Sequence, residues 1–446
     1  MIGKLLKMVK SSNKKRGRNI TVGAVVGMLL SCTVVMGEGL EITQETEKEI
    51  LFNDKVYDKA THPFEENTFE NNVYTNNMKI EKNGELGLEI VIADDFELEI
   101  YNNNLISANN SDEAYGIYNS KSKIKKIENN GIILGKGENF GGGILNTGTI
   151  ADIKNTGIIY GNGNNSFGIF NNDGTITTIK NSGIIYGNSI NQAIGIRNSS
   201  TITEIKNTGV ISGNGNTGFG IFGNGGVIKI LENSGFIIGI GNTDEGSGIV
   251  NFNNYFDSPI ENLENTGKII GTSANGSGYG LRESSSSSQP ITIDNLGMII
   301  GKGKSSGKGL LSESWNGDKI NNFGIIYGNT HAIDTNTTGE PAGKNYGLLL
   351  NSTDSKKVIK LSETKKDIVN YGIIFKVKAD GTYELESDTS TEYTGGEEVT
   401  VDMLSKKRDM KVKNASLSSS STGSVSFSGN TYENYILNGI TDTLKV

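Results

Sequence analysis

Cysteine, tryptophan, histidine and proline are nearly missing from this chain: 446 residues hold one Cys, one Trp, two His and four Pro. A lone Cys32 excludes a disulfide framework or a cysteine zinc site. His62 and His331 have no second His or Glu at helical ligand spacing, which excludes the common zinc-hydrolase motif. Both are read as surface loop residues. Sixty Gly with so little Pro, and no three-residue period, excludes collagen. Apolar residues make up 35% of the chain, modest for a globule of this length and sufficient for a thin, repetitive core. Ile dominates among them and favours strands, while Asn and Gly favour turns.

Charge is divided along the chain. Lys4, Lys7, Lys10, Lys14, Lys15, Arg16 and Arg18 precede the first acid, Glu38. With those seven removed from the 42 basic residues, 35 remain against 50 acidic ones, a balance of −15. An acidic body without a basic stripe excludes nucleic-acid binding and attachment to an anionic membrane surface. The uncharged stretch Ile20–Gly37, ITVGAVVGMLLSCTVVMG, follows the basic run directly. This is the layout of an extended secretory signal over residues 1–37, with cleavage expected after Gly37. Two alternatives are an uncleaved membrane anchor and lipidation at Cys32, because Leu29-Leu30-Ser31-Cys32 resembles a lipobox.

The body repeats itself. IENNGIILG at 127–135 returns as IKNTGIIYG at 153–161, IKNSGIIYG at 179–187 and IKNTGVISG at 205–213. It continues as LENSGFIIG, LENTGKIIG, IDNLGMIIG and INNFGIIYG, ending in the degraded IVNYGIIFK at 368–376. The asparagines are Asn129, Asn155, Asn181, Asn207, Asn233, Asn265, Asn295, Asn322 and Asn370, at separations of 26, 26, 26, 26, 32, 30, 27 and 48. A second phrase (GILN, GIFN, GIRN, GIVN) follows each first one. Each unit therefore holds at least two short strands between Gly/Asn turns. A unit this short cannot bury its own apolar face, and stacked copies can. The expectation is an all-β fold, a right-handed parallel β-helix (β-solenoid) of about 26 residues per coil. The nine asparagines form a structural ladder of corner amides, each donating to one neighbour and accepting from the other. The Gly two residues later is expected to supply a positive φ.

Around the repeats, residues 38–75 read as an acidic tether or N-terminal cap and 76–126 as capping strands. The repeats run over 127–376, with a protruding insertion near 329–367. Residues 377–446 read as a truncated β-rich continuation. Chemistry is not evident. Asp94, Asp95, Glu97 and Glu99 read as a solvated cap face, and Lys154, Lys180 and Lys206 as a solvated stripe at one repeated position. The expectation is a protein without catalytic, cofactor-binding or metal-binding residues, and not an enzyme. The alternative is a glycan-processing, polysaccharide lyase-like β-helix enzyme, which needs Asp, Lys and Arg converging in a groove.

The leader KKRGRNITVGAVVGMLLSCTVVMGEG at 14–39 and the N-T-G-I-I-x-G coils resemble the passenger region of type V secretion autotransporters of the adhesin-like kind. That resemblance implies an exported β-helix held at the cell surface or outer membrane, or released, and often acting in adhesion. Its partners would be a host-cell or bacterial surface ligand, protein or glycan, together with the export machinery. No series of about ten-residue amphipathic strands encodes a translocator barrel. Either a separate protein supplies the barrel or the chain is a truncated product.

Mass spectrometry of the exported protein is expected to find Glu38 as the first residue. An exported chain that retains Met1, or a lipid on Cys32, counts against cleavage after Gly37.

Overall fold

The computed structural model describes residues 40–385, with breaks at 47–48, 53–54, 58–66, 71–72, 78, 92–96, 254–259, 286–290, 314–318, 336–341, 353–357, 361–367, 371–372 and 378–382, and the strands 417–419 and 425–427. Gly37, Cys32, His62, Asp94 and Asp95 lie outside the described residues. The chain divides into two units, residues 1–187 and 188–446. Each is a parallel β-solenoid of about 26 residues per turn, and no helix occurs among the described residues.

A turn contains three strands. In the first unit one turn comprises Lys123–Asn129, Ile132–Gly137 and Phe140–Asn146. In the next, Thr149–Asn155 is followed by Ile158–Asn171, which runs unbroken through the second and third strands. On the first strands the two isoleucines and the final Asn are buried and the residues between them lie outward, which is why T-I-x-x-I-x-N recurs there. Successive turns pair in parallel and in register. Ile124 and Ile127 lie on Ile150 and Ile153, which lie on Ile176 and Ile179. Ile133 lies on Ile159 and Ile144 on Ile169. All of these are buried. In the second unit one such column runs Ile205, Leu231, Leu263, Ile293, Ile320. Each such side chain contributes roughly 1.5–3 kcal/mol on burial.

At the ends of the first strands from Val73–Asn76 to Ala342–Asn345 the asparagine turns inward, while the Asn370 side chain lies outside the described residues. In the first unit Nδ2 of Asn129 donates to Oδ1 of Asn155 at 2.8 Å, and Asn155 donates to Asn181 at 2.8 Å. In the second, Asn207, Asn233, Asn265, Asn295 and Asn322 continue the same donation at 2.7–2.8 Å. Each amide also donates to the backbone: Asn155 Nδ2 reaches Ile184 O at 3.1 Å. The amides are fully used where water cannot reach them, as a buried polar group requires. A second column closes the third strands of the first unit, Asn119 to Asn146 to Asn171, at 2.7 and 2.8 Å.

The glycines answer to space, not to φ. Among the described residues Gly225 is the one glycine with positive φ, 82°. The glycine two residues after each ladder Asn packs on the carbonyl of the turn before it. A Cβ on Gly157 would lie 2.0 Å from Gly131 O, and one on Gly324 would lie 2.1 Å from Gly297 O. The glycine ending each I-I-x-G word faces the third strand of its own turn. A Cβ on Gly161 would lie 2.1 Å from Phe167 O, and one on Gly271 would lie 1.7 Å from Tyr279 O. The second and third strands thus touch backbone to backbone where they meet.

The solenoid extends past the bounds read from the sequence. Residues 76–126, read as capping strands, contain regular turns. Val73–Asn76 and Leu98–Asn102 are first strands, and Asn76 donates to Asn102 and Asn102 to Asn129, each at 2.7 Å. The segment 329–367, read as a protruding insertion, carries a further turn. His331–Thr335 stacks on Ser306–Ser312, and Ala342–Asn345 on Lys319–Asn322. Asn322 donates to Asn345 at 2.7 Å. Asn370 follows one turn later, its backbone paired with that of Asn345. The separation of 48 is therefore two turns. Asn165 is half-buried inside Ile158–Asn171.

Asn155→Ala strands the amides of Asn129 and Asn181 and should cost about 1–3 kcal/mol for each group left unsatisfied. Exposed Asn130 is the control, with Asn130→Ala expected to cost under about 0.5 kcal/mol. Ile153→Ala should cost on the order of 2–5 kcal/mol. Equal denaturation midpoints for Asn155→Ala and Asn130→Ala would contradict the ladder.

Candidate functional site

The outward side chains form rows up the stacked turns, because register keeps each position above its counterpart. On the first strands these rows are ionic. In the first unit Glu99 pairs with Lys125 at 2.8 Å, and Glu128 with Lys126 at 2.5 Å and Lys154 at 2.7 Å; Lys180 pairs with Asp152 at 3.1 Å. In the second unit Lys206 pairs with Glu204 at 2.9 Å. The Lys126 and Lys154 ammonium groups hold the Glu128 carboxyl below its usual range. Lys154, Lys180 and Lys206 keep 42–52% of their side chains exposed, so each pair contributes little to stability. Glu97 is exposed. This face is solvated charge, spread evenly, with no point of convergence.

The third strands of the second unit differ. Two of their positions are aromatic early on, where Phe219 and Phe222 stack at 5.0 Å. In register with Phe219, successive turns place Ser247, Tyr279, Lys308 and His331. In register with Phe222 come Val250, Arg282, Leu311, Asp334 and Lys360. Apolar rows thus become ionic over a few turns.

Two clusters result. Arg282 reaches Glu245 at 2.5 Å and Glu313 at 2.9 Å, and Ser247 donates to Glu245 at 2.5 Å. Burial pushes the Glu245 carboxyl up from its ordinary range, against the pull of Arg282. Two turns beyond Arg282, Asp334 is the hub, 1% exposed. Its Oδ2 takes Lys308 Nζ at 2.8 Å and lies 3.8 Å from His331 Nδ1, while Oδ1 faces Lys360 Nζ at 3.4 Å. The Tyr279 ring lies between the clusters, 5.7 Å from Lys308 Nζ and 5.9 Å from the Arg282 guanidinium carbon.

His331, read from the sequence as a loop residue, is instead a buried strand residue in this cluster. Lys308, Asp334, Lys360, Arg282 and Glu245 were not singled out by the sequence reading. Their signal was nevertheless present: GFGIF at 218–222 gives way to GYGLR, GKGLL and HAID, which put charge where the repeat has Phe. A lyase base must reach a substrate C–H bond, and Asp334 faces two lysines and a histidine from a buried position. Among the described residues no three His, Cys, Asp or Glu side chains are grouped to hold a metal. No helix among them is long and apolar enough to cross a membrane.

No protein-family model, curated protein or solved structure matches the chain.

Arg282→Ala leaves Glu245 partly buried beside Glu313 without its cation. A cost of about 3–5 kcal/mol is expected by chemical denaturation, because breaking a buried pair exposes the full desolvation penalty of the survivor. In the Glu245→Gln background the same Arg282→Ala change should cost clearly less. Equal costs in the two backgrounds would mean that the pair is not coupled.

Proposed function

We propose that this chain is an exported bacterial surface protein whose solenoid serves as a non-catalytic adhesive or structural module, as autotransporter passengers do. The observation that carries this reading is the division of labour within each turn. Inward positions repeat with little change, while outward rows vary from aromatic to ionic. A stacked scaffold of this kind holds a varied surface in place without requiring any single reactive centre. The basic leader and acidic body fit export and argue against a nucleic-acid partner. The ligand would be a surface protein or glycan on a host or bacterial cell, reached after passage through the export machinery.

The glycan-processing alternative draws support from the meeting of Asp334, Lys308, His331 and Lys360 in one cluster. The adhesive reading draws support from the cover over that carboxylate. The test is to incubate the chain lacking its leader with a panel of neutral and acidic polysaccharides and with intact cells. Retention on cells or glycans without new reducing or unsaturated ends is expected. Turnover that disappears in Asp334→Asn, with folding intact by circular dichroism, would replace the proposal with the enzymatic one.

A further inference from the structure

The Asp334 cluster has the arrangement of a condensation site. Lys308 lies on Ser306–Ser312 and Asp334 on His331–Thr335, adjacent parallel strands of successive turns. Lys308 is in register with His331, so Asp334 is reached diagonally. Side-chain exposure is 13% for Lys308, 10% for His331 and 1% for Asp334, against 52% for Lys360. An ammonium and a carboxylate therefore touch at 2.8 Å with little water around them.

We propose that Lys308 and Asp334 condense to an intramolecular isopeptide bond, Nζ to Cγ, that staples one turn of the solenoid to the next. One proton passes from Lys308 Nζ to Asp334 Oδ2 across their contact. The amine lone pair then attacks Cγ, and the charge that develops on Oδ1 faces the Lys360 ammonium. A second proton leaves Nζ and reaches Oδ2, with His331 beside that oxygen as the carrier. The Cγ–Oδ2 bond breaks and Oδ2 departs as water. An ammonium and a carboxylate thus become an amide and one water, with no oxidant, metal or co-reactant. Lys308 is the nucleophile because it is the nearer and drier of the two lysines; Lys360 is farther away and half in solvent. The fixed register of the strands holds the two groups in reach, which replaces the entropy cost of bringing them together. The bond closes a loop of one full turn, so the affected turns cannot separate when the chain is pulled or nicked.

The test is peptide mapping by tandem mass spectrometry on the purified full-length chain after a cooperative unfolding transition has shown it to be folded. A branched peptide is expected, joining the segment around Lys308 to the segment around Asp334 and lighter than their sum by one water. Lys308→Arg and Asp334→Ala should give linear peptides alone. In chain folded from never-folded inclusion-body protein, His331→Ala should slow bond formation on the order of 10²-fold, while the final product stays the same. Linear peptides in the folded wild-type protein, with Lys308 open to acetylation after denaturation, would overturn the proposal. A branch from Lys360 in place of Lys308 would overturn the assignment of the nucleophile.

Discussion

Parallel strands in adjacent turns must lie about 4.8 Å apart, and everything else in this protein follows from that spacing. Once the rise per turn equals the strand separation, each residue meets its own counterpart above and below. Chemistry that is favourable with itself is rewarded at every step. Isoleucine packs on isoleucine, asparagine completes the hydrogen bonds of asparagine, and glycine leaves room for glycine's carbonyl. The same rule penalises any inward side chain that cannot meet its like. The inward columns therefore vary little, as from Ile205 to Leu231 and Leu263 and back to Ile293.

This constraint also explains how far the sequence could be read. The four consecutive separations of 26 residues reveal the turn length because inward residues cannot drift. The fold class and the ladder asparagines were legible for that reason. What escaped was the solenoid where the wording changes but the chemistry does not. Ile100, Asn102 and Ile106 occupy the places of Ile127, Asn129 and Ile133, but Ala108 stands where Gly135 stands later. Asn345-Tyr346-Gly347-Leu348-Leu349-Leu350 keeps the N-x-G word with Leu for Ile, and the phrase before it begins with Gly343 in place of Ile. The glycines were noticed and given the wrong cause. A close backbone approach leaves the same mark on a sequence as a positive φ, and only the positions of the facing carbonyls separate them.

The candidate site was less legible, for the opposite reason. Outward positions are free to vary, so a charged residue there resembles ordinary surface. Lys308, Asp334 and Lys360 lie 26 residues apart along the chain and meet only because register stacks three turns. His331 was misread because a strand buried on both faces, with all five residues of His331–Thr335 covered, has no alternation to betray it. The sites of such a protein are columns through the sequence, and they are found by reading every turn at one position.

The ladder also has a direction. Every amide donates toward the C-terminal side and accepts from the N-terminal side, so a stack of turns has unlike ends. At the N-terminal edge of the first unit Asn76 gives its hydrogens to Asn102 and Leu105. Its own Oδ1 is buried and finds no donor among the described residues. An unsatisfied acceptor at a strand edge is a template, and what would fit it is the donor end of another parallel stack. The strand Asn67–Glu70 lies across this edge antiparallel to Val73–Asn76, with Asn67 opposite Asn76. An antiparallel neighbour cannot continue the parallel register. The fold that permits unlimited addition of turns thus carries, in reversed strands at its edges, a means of ending them.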